Sequence, residues 1–219
     1  MTDRKLYYRL IGHDGIARRT TDPLGWYEAL LYWKLYSQPA ATSNLGKWMA
    51  PGSASRRSAE SFLPLLLASH PKTLARSADD VVDAVKDLSN FGLPGMSTKC
   101  AIPVRSTFLH FLYPTIVPIF DKMVLKAVGV NDKDANHDYN VLREYLPHAW
   151  KLADRYAARA TVQCKHEQPI RLIDMALWVN RGKPGADGVA PRTSQSTVRP
   201  VPAGRPSGTR AANSNHWGN

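Results

Sequence analysis

Apolar residues recur at helical spacing along most of the chain. After Asp22 and Pro23, they follow one another at intervals of three and four residues to about Ser37, which is typical of a helix with an aspartate N-cap and a proline at its first position. A loop rich in small and polar residues is then predicted up to Ser53. The same periodicity predicts helices over residues 58–69, 77–88, 98–112, 122–128, 139–145, 147–161 and 169–180, with Ser77 and Gly129 as cap and stop signals.

The first twenty residues carry a different pattern. Two short runs, residues 6–11 and 16–20, flank the dipeptide Asp14-Gly15, and an Asp-Gly pair between such runs favours a tight turn joining two strands. We therefore predict a mainly α fold with a short N-terminal β element at about residues 5–20.

The segment from residue 181 to residue 219 has a different composition. It contains five prolines and six glycines but almost no large apolar residues, so it cannot bury enough surface to offset the entropy of ordering. We predict one folded domain over residues 1–180, followed by a disordered basic tail over residues 181–219. The tail either holds DNA through phosphate contacts or only increases solubility.

The 219 residues carry a net charge of +11, and a positive field of this kind favours polyanionic partners, above all nucleic acid. The tail has six basic residues and one acidic residue, hence +5, so residues 1–180 carry the other +6. The predicted domain is therefore basic without its tail.

Other features of the sequence exclude several classes of protein. No run of eighteen apolar residues occurs, and the N-terminus leads into a mixed polar segment, so we expect a cytoplasmic protein that neither enters a membrane nor is secreted. The two cysteines, Cys100 and Cys164, exclude a four-cysteine iron–sulfur cluster or zinc finger. No glycine-rich nucleotide loop or metal-binding motif occurs in the sequence, so we predict no cofactor and no metal.

Residues Leu93 to Lys99, with the sequence LPGMSTK, place a tight turn beside a predicted helix. Such a turn directs backbone N–H groups and the positive end of the helix towards one point, which suits a phosphate. The tripeptide Leu-Pro-Gly alone indicates only an interhelical turn. Further on, the apolar residues 117–120 lead to Asp121, the predicted N-cap of the next helix.

Together these two motifs resemble the helix-hairpin-helix DNA glycosylases, whose hairpin runs Leu-Pro-Gly-apolar-Gly-x-Lys and whose catalytic aspartate follows an apolar run. The resemblance covers residues 88–128, with hairpin, lysine and aspartate in the family's order. Ser97 replaces the second hairpin glycine, and the 22 positions from Lys99 to Asp121 exceed the family's usual separation by about one helical turn. Without a C-terminal cysteine cluster, the chain is more similar to the branches that lack an iron–sulfur cluster.

The resemblance implies a helical bundle around the hairpin, with Asp121 and Lys99 in its active site. Asp121 would stabilise the oxocarbenium-like charge that develops as the glycosidic bond breaks, and would orient the nucleophile. Lys99 would be either that nucleophile or a phosphate clamp. Considered without the resemblance, Asp121 is equally a simple helix cap and Lys99 a solvated surface lysine.

The same resemblance predicts residues that contact DNA. The phosphate contacts would come from the hairpin and from the first residue of the helix after Asp121: Gly95, Met96, Ser97, Thr98 and Lys122. Base excision also needs a pocket in which a flipped nucleotide stacks on aromatic side chains. Trp26, Tyr113 and Phe120 are the candidates for this pocket, although aromatic residues more often belong to the core. His110, which lies among apolar residues, is expected to be a structural histidine with satisfied hydrogen bonds.

The sequence thus predicts a monomeric DNA N-glycosylase, a hydrolase that flips a modified base out of double-stranded DNA and leaves an abasic site. If Lys99 attacks the sugar, strand cleavage by β-elimination follows. The base is either a damaged base in excision repair or a modified base of invading phage DNA. Two alternatives stay open: a non-catalytic helix-hairpin-helix DNA-binding protein, and an all-α protein with a coincidental hairpin.

Overall fold

The structure, a computed structural model, describes residues 3–35, 39–70, 73–91, 93–94, 96, 101–130, 134–159 and 168–179. These residues contain ten α-helices. The helices are α1 (Asp3–Ile11), α2 (His13–Thr21), α3 (Pro23–Leu35), α4 (Pro39–Trp48), α5 (Ala54–Ser69), α6 (Ala78–Asp87), α7 (Ile102–Leu112), α8 (Lys122–Ala127), α9 (Tyr139–Arg159) and α10 (Pro169–Val179). Short 3-10 helices lie at Leu88–Asn90 and Ala135–His137. The predicted mainly α fold is confirmed.

Helix α3 is the centre of the N-terminal half. Six of its residues are buried: Trp26, Tyr27, Leu30, Leu31, Trp33 and Leu35. A helix with so wide an apolar face must be covered by several neighbours. It packs against α1, α2, α4, α5 and α7. Two charged residues lie on α3: Glu28 is exposed, whereas the side chain of Lys34 is only 11% exposed.

Helix α7 joins the two halves of the fold. All of its residues from Arg105 to Phe111 are buried, because α1 and α3 cover it from one side and α6 packs on it as well. The C-terminal half then continues through α9, which packs against α6 and α10, and α10 in turn packs against α8. One continuous apolar core runs through both halves.

The predicted N-terminal β element is wrong, because residues 5–20 form helices α1 and α2. Tyr7 and Leu10, three positions apart, both point into the core, which is a helical spacing rather than a strand's alternation. Gly15 does not form a hairpin turn. A Cβ atom there would collide with the carbonyl oxygens of Arg9 and Leu10, so glycine allows α2 to pass close to the end of α1.

Three boundaries also differ from the sequence prediction. The predicted loop before Ser53 contains α4. Helix α5 begins at Ala54 because the Ser53 hydroxyl accepts a hydrogen bond from the Arg56 N–H at 3.1 Å. One continuous helix, α9, replaces the two helices predicted on either side of Pro147. Proline has no N–H to donate, but buried residues before and after it hold the helix in place.

Several local signals are confirmed. The Ser77 side chain caps α6, and Gly129 ends α8 with a φ of 83°, a backbone conformation that favours glycine. Within the described ranges there is no β-strand, and no helix there is both long and apolar enough to cross a membrane. The tail, residues 181–219, lies outside the described residues.

Gly15→Ala should destabilise the fold, because the added methyl group meets backbone atoms of α1 that cannot rotate away. We expect the free energy of unfolding in urea to fall by about 1–3 kcal/mol. Gly46→Ala in α4 is the matched control, since no heavy atom lies within 4 Å of its added Cβ and alanine favours a helix interior over glycine by about 1 kcal/mol. Equal effects of the two substitutions would contradict the close α1–α2 contact.

Candidate functional site

Residues 116–121, here called the connecting segment, join α7 to α8 without regular structure from Val117 to Phe120. This backbone is buried, and its polar groups need partners that a helix or sheet would otherwise supply. The N–H groups of Ile116 and Val117 both donate to the Tyr113 carbonyl oxygen at 3.0 Å, and side chains supply further partners. Trp150 Nε1 donates to the Ile116 carbonyl oxygen at 2.6 Å, and His110 Nδ1 donates to that of Val117, also at 2.6 Å.

The second half of the connecting segment is held in the same way. The N–H of Ile119 donates to Asp174 Oδ2 at 3.1 Å, and the N–H of Phe120 donates to Ser106 Oγ at 3.1 Å. Pro118 has no N–H to satisfy. Side chains from α7, α9 and α10 therefore fix the path of the chain up to Asp121.

Asp121 ends the connecting segment and caps α8, as predicted. Its Oδ1 accepts hydrogen bonds from the N–H groups of Met123 and Val124 at 2.9 and 3.1 Å. Its Oδ2 lies 3.4 Å from Lys34 Nζ, and 24% of the aspartate side chain is exposed. The result is a carboxylate held from two sides that still reaches the surface.

Lys34 was not identified from the sequence. Nothing local indicates that the C-terminal turn of α3 meets the N-terminus of α8, 87 positions later. The available signal is a lysine between the apolar residues Trp33 and Leu35 in the last turn of the helix, because a lysine at such a place needs a partner.

Asp174, which binds the Ile119 N–H, is a second carboxyl group in the electrostatic surroundings of Asp121. It is 2% exposed, and burial raises its pKa to about 8, with a smaller contribution from Asp121; the Ile119 N–H bond and the cations Arg171 and Lys34 act in the opposite direction. Within the described part of the chain, its Oδ1 has no hydrogen-bond partner, and neither has the buried hydroxyl of Tyr145.

His110 is a structural histidine, as predicted. The Val117 carbonyl oxygen can only accept, so Nδ1 carries the proton, and Nε2 is left to accept from the Tyr7 hydroxyl at 2.8 Å. Burial lowers the pKa of His110 to about 3, although the hydrogen bond to Val117 acts to raise it. The ring is therefore neutral at physiological pH.

The predicted hairpin begins with a turn that is tied to the core. The Met96 N–H donates to the Leu93 carbonyl oxygen at 3.0 Å, and both side chains are buried. The Tyr27 hydroxyl donates to the Pro94 carbonyl oxygen at 2.7 Å. Arg105 donates to the Met96 carbonyl oxygen through Nε and Nη2, at 2.8 and 2.5 Å. Met96 thus anchors the turn and offers no free amide to a phosphate, which corrects its predicted role.

Four other predicted residues, Gly95, Ser97, Thr98 and the proposed nucleophile Lys99, lie outside the described residues. Lys122 is exposed at the start of α8, next to Asp121, where a phosphate contact is sterically possible.

The predicted base-pocket residues lie in the core. Trp26 and Phe120 have no exposed surface and Tyr113 is 6% exposed. Trp26 packs edge-on against Phe108, with the rings 5.7 Å apart, and the Tyr113 hydroxyl lies 3.2 Å from His70 Nδ1. This corrects the expectation that the three line an open pocket; their large rings fill the space between α3, α7 and their neighbours.

No protein-family model, curated protein or solved structure matches the chain. In the described ranges, no group of three or more His, Cys, Asp or Glu side chains lies together in a way that could hold a metal ion. The site consists of Asp121 with Lys34 beside it and the buried Asp174 in its electrostatic surroundings.

His110→Asn should make the free energy of unfolding fall less steeply as the pH is lowered. The unfolded chain binds a proton at the ordinary histidine pKa of 6.5, and folded His110 only near pH 3. The contribution of His110 to the free energy of unfolding is therefore complete above pH 6.5. It is lost as the pH falls towards 3, at up to about 1.4 kcal/mol per pH unit. Asparagine keeps an N–H donor for Val117 but has no proton to bind.

Urea unfolding between about pH 4 and pH 7 measures this slope. His13→Asn is the control for loss of a histidine, because the His13 side chain is 99% exposed and lies outside the core. A His110→Asn protein with the wild-type slope would show that this histidine is not held neutral by burial.

Proposed function

We propose that the chain is a DNA N-glycosylase in which Asp121 is the catalytic carboxylate. The observation that carries the proposal is the geometry of Asp121. It follows a buried apolar run, caps a helix through Oδ1, meets Lys34 through Oδ2 and keeps about a quarter of its side chain exposed. A fixed carboxylate at a surface is suited to stabilise positive charge on a sugar.

The hydrogen bonds around Asp121 favour this use of its charge. Two backbone N–H groups hold Oδ1 in one orientation, so little reorganisation is needed when positive charge develops at the sugar C1′. The hydrogen bonds to the connecting segment fix where the backbone of Asp121 lies in the fold. The departing base takes the electron pair of the N-glycosidic bond, and either water or an amine attacks C1′.

Two features support DNA as the substrate. The net charge of +11 favours a polyanion, and Lys122 is exposed beside Asp121. The assignment of Lys99 as nucleophile or phosphate clamp stays a prediction, as does the choice between repair and defence against phage DNA.

Asp121→Asn should lower the rate of base release by about 100-fold or more, because the negative charge is lost at the point where positive charge develops. Asparagine caps helices as well as aspartate does, so the fold should be retained. The measurement is single-turnover incubation of the full chain with duplexes that carry damaged or phage-type bases, with free base quantified by mass spectrometry.

Asp22→Asn is a matched control. Asp22 also accepts a hydrogen bond from a helix N-terminal N–H, that of Gly25 at 2.9 Å, and also pairs with a cation, Arg18, but it is exposed and distant in sequence from Asp121. Its variant should release base at a rate within about twofold of wild type.

The same incubation separates the proposal from its rival. Wild-type protein that binds the duplexes but releases no base from any of them would indicate a non-catalytic DNA-binding protein, and the catalytic role of Asp121 would be wrong. Equal rates for wild type and Asp121→Asn would contradict that role even if base is released.

A further inference from the structure

Arg19 on α2 is a half-buried cation for which the described residues supply no acidic partner. Its Nη2 donates to the Phe111 carbonyl oxygen at 2.6 Å, and its guanidinium carbon lies 5.2 Å from the centre of the Trp26 ring. Its Nε is buried and has no hydrogen-bond partner in the described part of the chain. Burying a charge is unfavourable unless an opposite charge compensates it, so the position of Arg19 needs an explanation beyond the fold.

Two further polar side chains, those of His70 and Tyr113, lie beside this cation. Tyr113 ends α7 two residues after Phe111, and its hydroxyl lies 3.2 Å from Nδ1 of His70, which ends α5. Burial raises the pKa of Tyr113 and the nearby charge of Arg19 lowers it, and α2 packs against α5. The guanidinium, the hydroxyl and the imidazole therefore form one cluster where α2, α5 and the end of α7 meet.

Aromatic rings lie beneath this cluster. The ring centre of Phe108 is 5.7 Å from that of Trp26, which Arg19 covers, and 6.4 Å from that of His70. Trp26 and Phe108 have no exposed surface, whereas Arg19 and His70 are half-buried. The polar groups thus lie between the core and the surface, where the low dielectric of the core strengthens their interaction with an anion that arrives from solvent.

The cluster also supplies directed hydrogen-bond donors. A neutral His70–Tyr113 pair uses one proton in the bond between its members and has a second, on His70 Nε2 or on the Tyr113 hydroxyl. No hydrogen bond from Arg19 Nη1 to a described residue is found. Burial lowers the pKa of His70, and the exposed Asp87 raises it. Donors from two sides around one guanidinium are suited to an oxyanion with several oxygens.

We propose that Arg19, His70 and Tyr113 form a binding site for a phosphate group. The several oxygens of a phosphate can accept from the guanidinium and from the His70–Tyr113 pair together. The net charge of +11 also favours a ligand that carries phosphates. A phosphodiester of DNA and a free phosphate ion offer the site the same chemistry, and the experiments below distinguish these two sources.

The phosphate site is separate from Asp121. Arg19 covers Trp26 near the start of α3, whereas Asp121 pairs with Lys34 in the last turn of α3. The rise of a helix separates these two points by about 12 Å. The inference therefore does not depend on the proposed bond cleavage, and it can hold in a protein that binds DNA without releasing a base.

The salt dependence of binding to an unmodified duplex tests for a phosphodiester. Each phosphate contact contributes about 0.9 to the slope of log K against log salt. Arg19→Gln keeps a side-chain N–H donor but no charge, so it should lower this slope by about 0.9 and weaken binding about tenfold. The measurement is fluorescence anisotropy of a labelled duplex with the full chain.

Arg18→Gln is the matched control, because it removes the same charge from the neighbouring position. Arg18 is paired with Asp22 at 2.5 Å, and its side chain is 42% exposed, so this variant should keep the wild-type slope. Tyr113→Phe should weaken binding about threefold at an unchanged slope. Tyr32→Phe, at a position that is 52% exposed, should bind as wild type does.

Inorganic phosphate is the probe for a free phosphate. In wild-type protein at pH 7.5, the imidazole NMR signals of His70, assigned with His70→Asn, should shift with phosphate but not with chloride at the same ionic strength. Arg19→Gln should lose this response. The signals of His13, which is 99% exposed, should stay in place. A shift of His70 together with an unchanged slope for Arg19→Gln would assign the site to a free phosphate ion.

The proposal is overturned if His70 does not respond to phosphate and Arg19→Gln keeps the wild-type slope. An equal loss of slope in Arg18→Gln would indicate only a general effect of charge, and the site would then stand or fall with the response of His70. If Arg19→Gln does not fold, or if wild type binds no duplex, the titration of wild-type protein with phosphate decides alone.

Discussion

The constraint on which the site depends is the burial of a non-helical backbone inside a helical protein. The backbone from Val117 to Phe120 is buried without regular structure, so each of its polar groups left unpaired would cost about 1–3 kcal/mol. Four side chains from three helices bind peptide groups of the connecting segment: Ser106, His110, Trp150 and Asp174. Together they determine where Asp121 emerges.

Asp121 serves the fold and the proposed chemistry with the same hydrogen bonds. Capping α8 stabilises the helix, and the same N–H groups orient the carboxylate. Lys34 extends this arrangement to α3, the helix around which the N-terminal half packs. The site therefore connects both halves of the core, and a change in packing on either side would move the carboxylate.

Features that depend on neighbouring residues could be predicted from the sequence. The caps at Ser77 and Asp121 and the stop at Gly129 are set within one helical turn, and the structure confirms them. The N-terminal helices could not be distinguished from strands, because their short amphipathic runs fit either period and the need for Gly15 arises only from the contact between α1 and α2. Lys34 and Asp174 were missed for a related reason. Their partners are brought to them by tertiary packing, which leaves no local pattern.

In the proposed function Asp121 recognises positive charge on the sugar, and the most direct test of this role is binding to a charged mimic. Duplexes with a cationic pyrrolidine or a neutral tetrahydrofuran in place of one deoxyribose differ at that point in little but charge. Fluorescence titration should show wild type binding the cationic duplex about tenfold or more tightly than the neutral one, and Asp121→Asn binding both alike. Equal affinity of wild-type protein for the two duplexes would contradict the account.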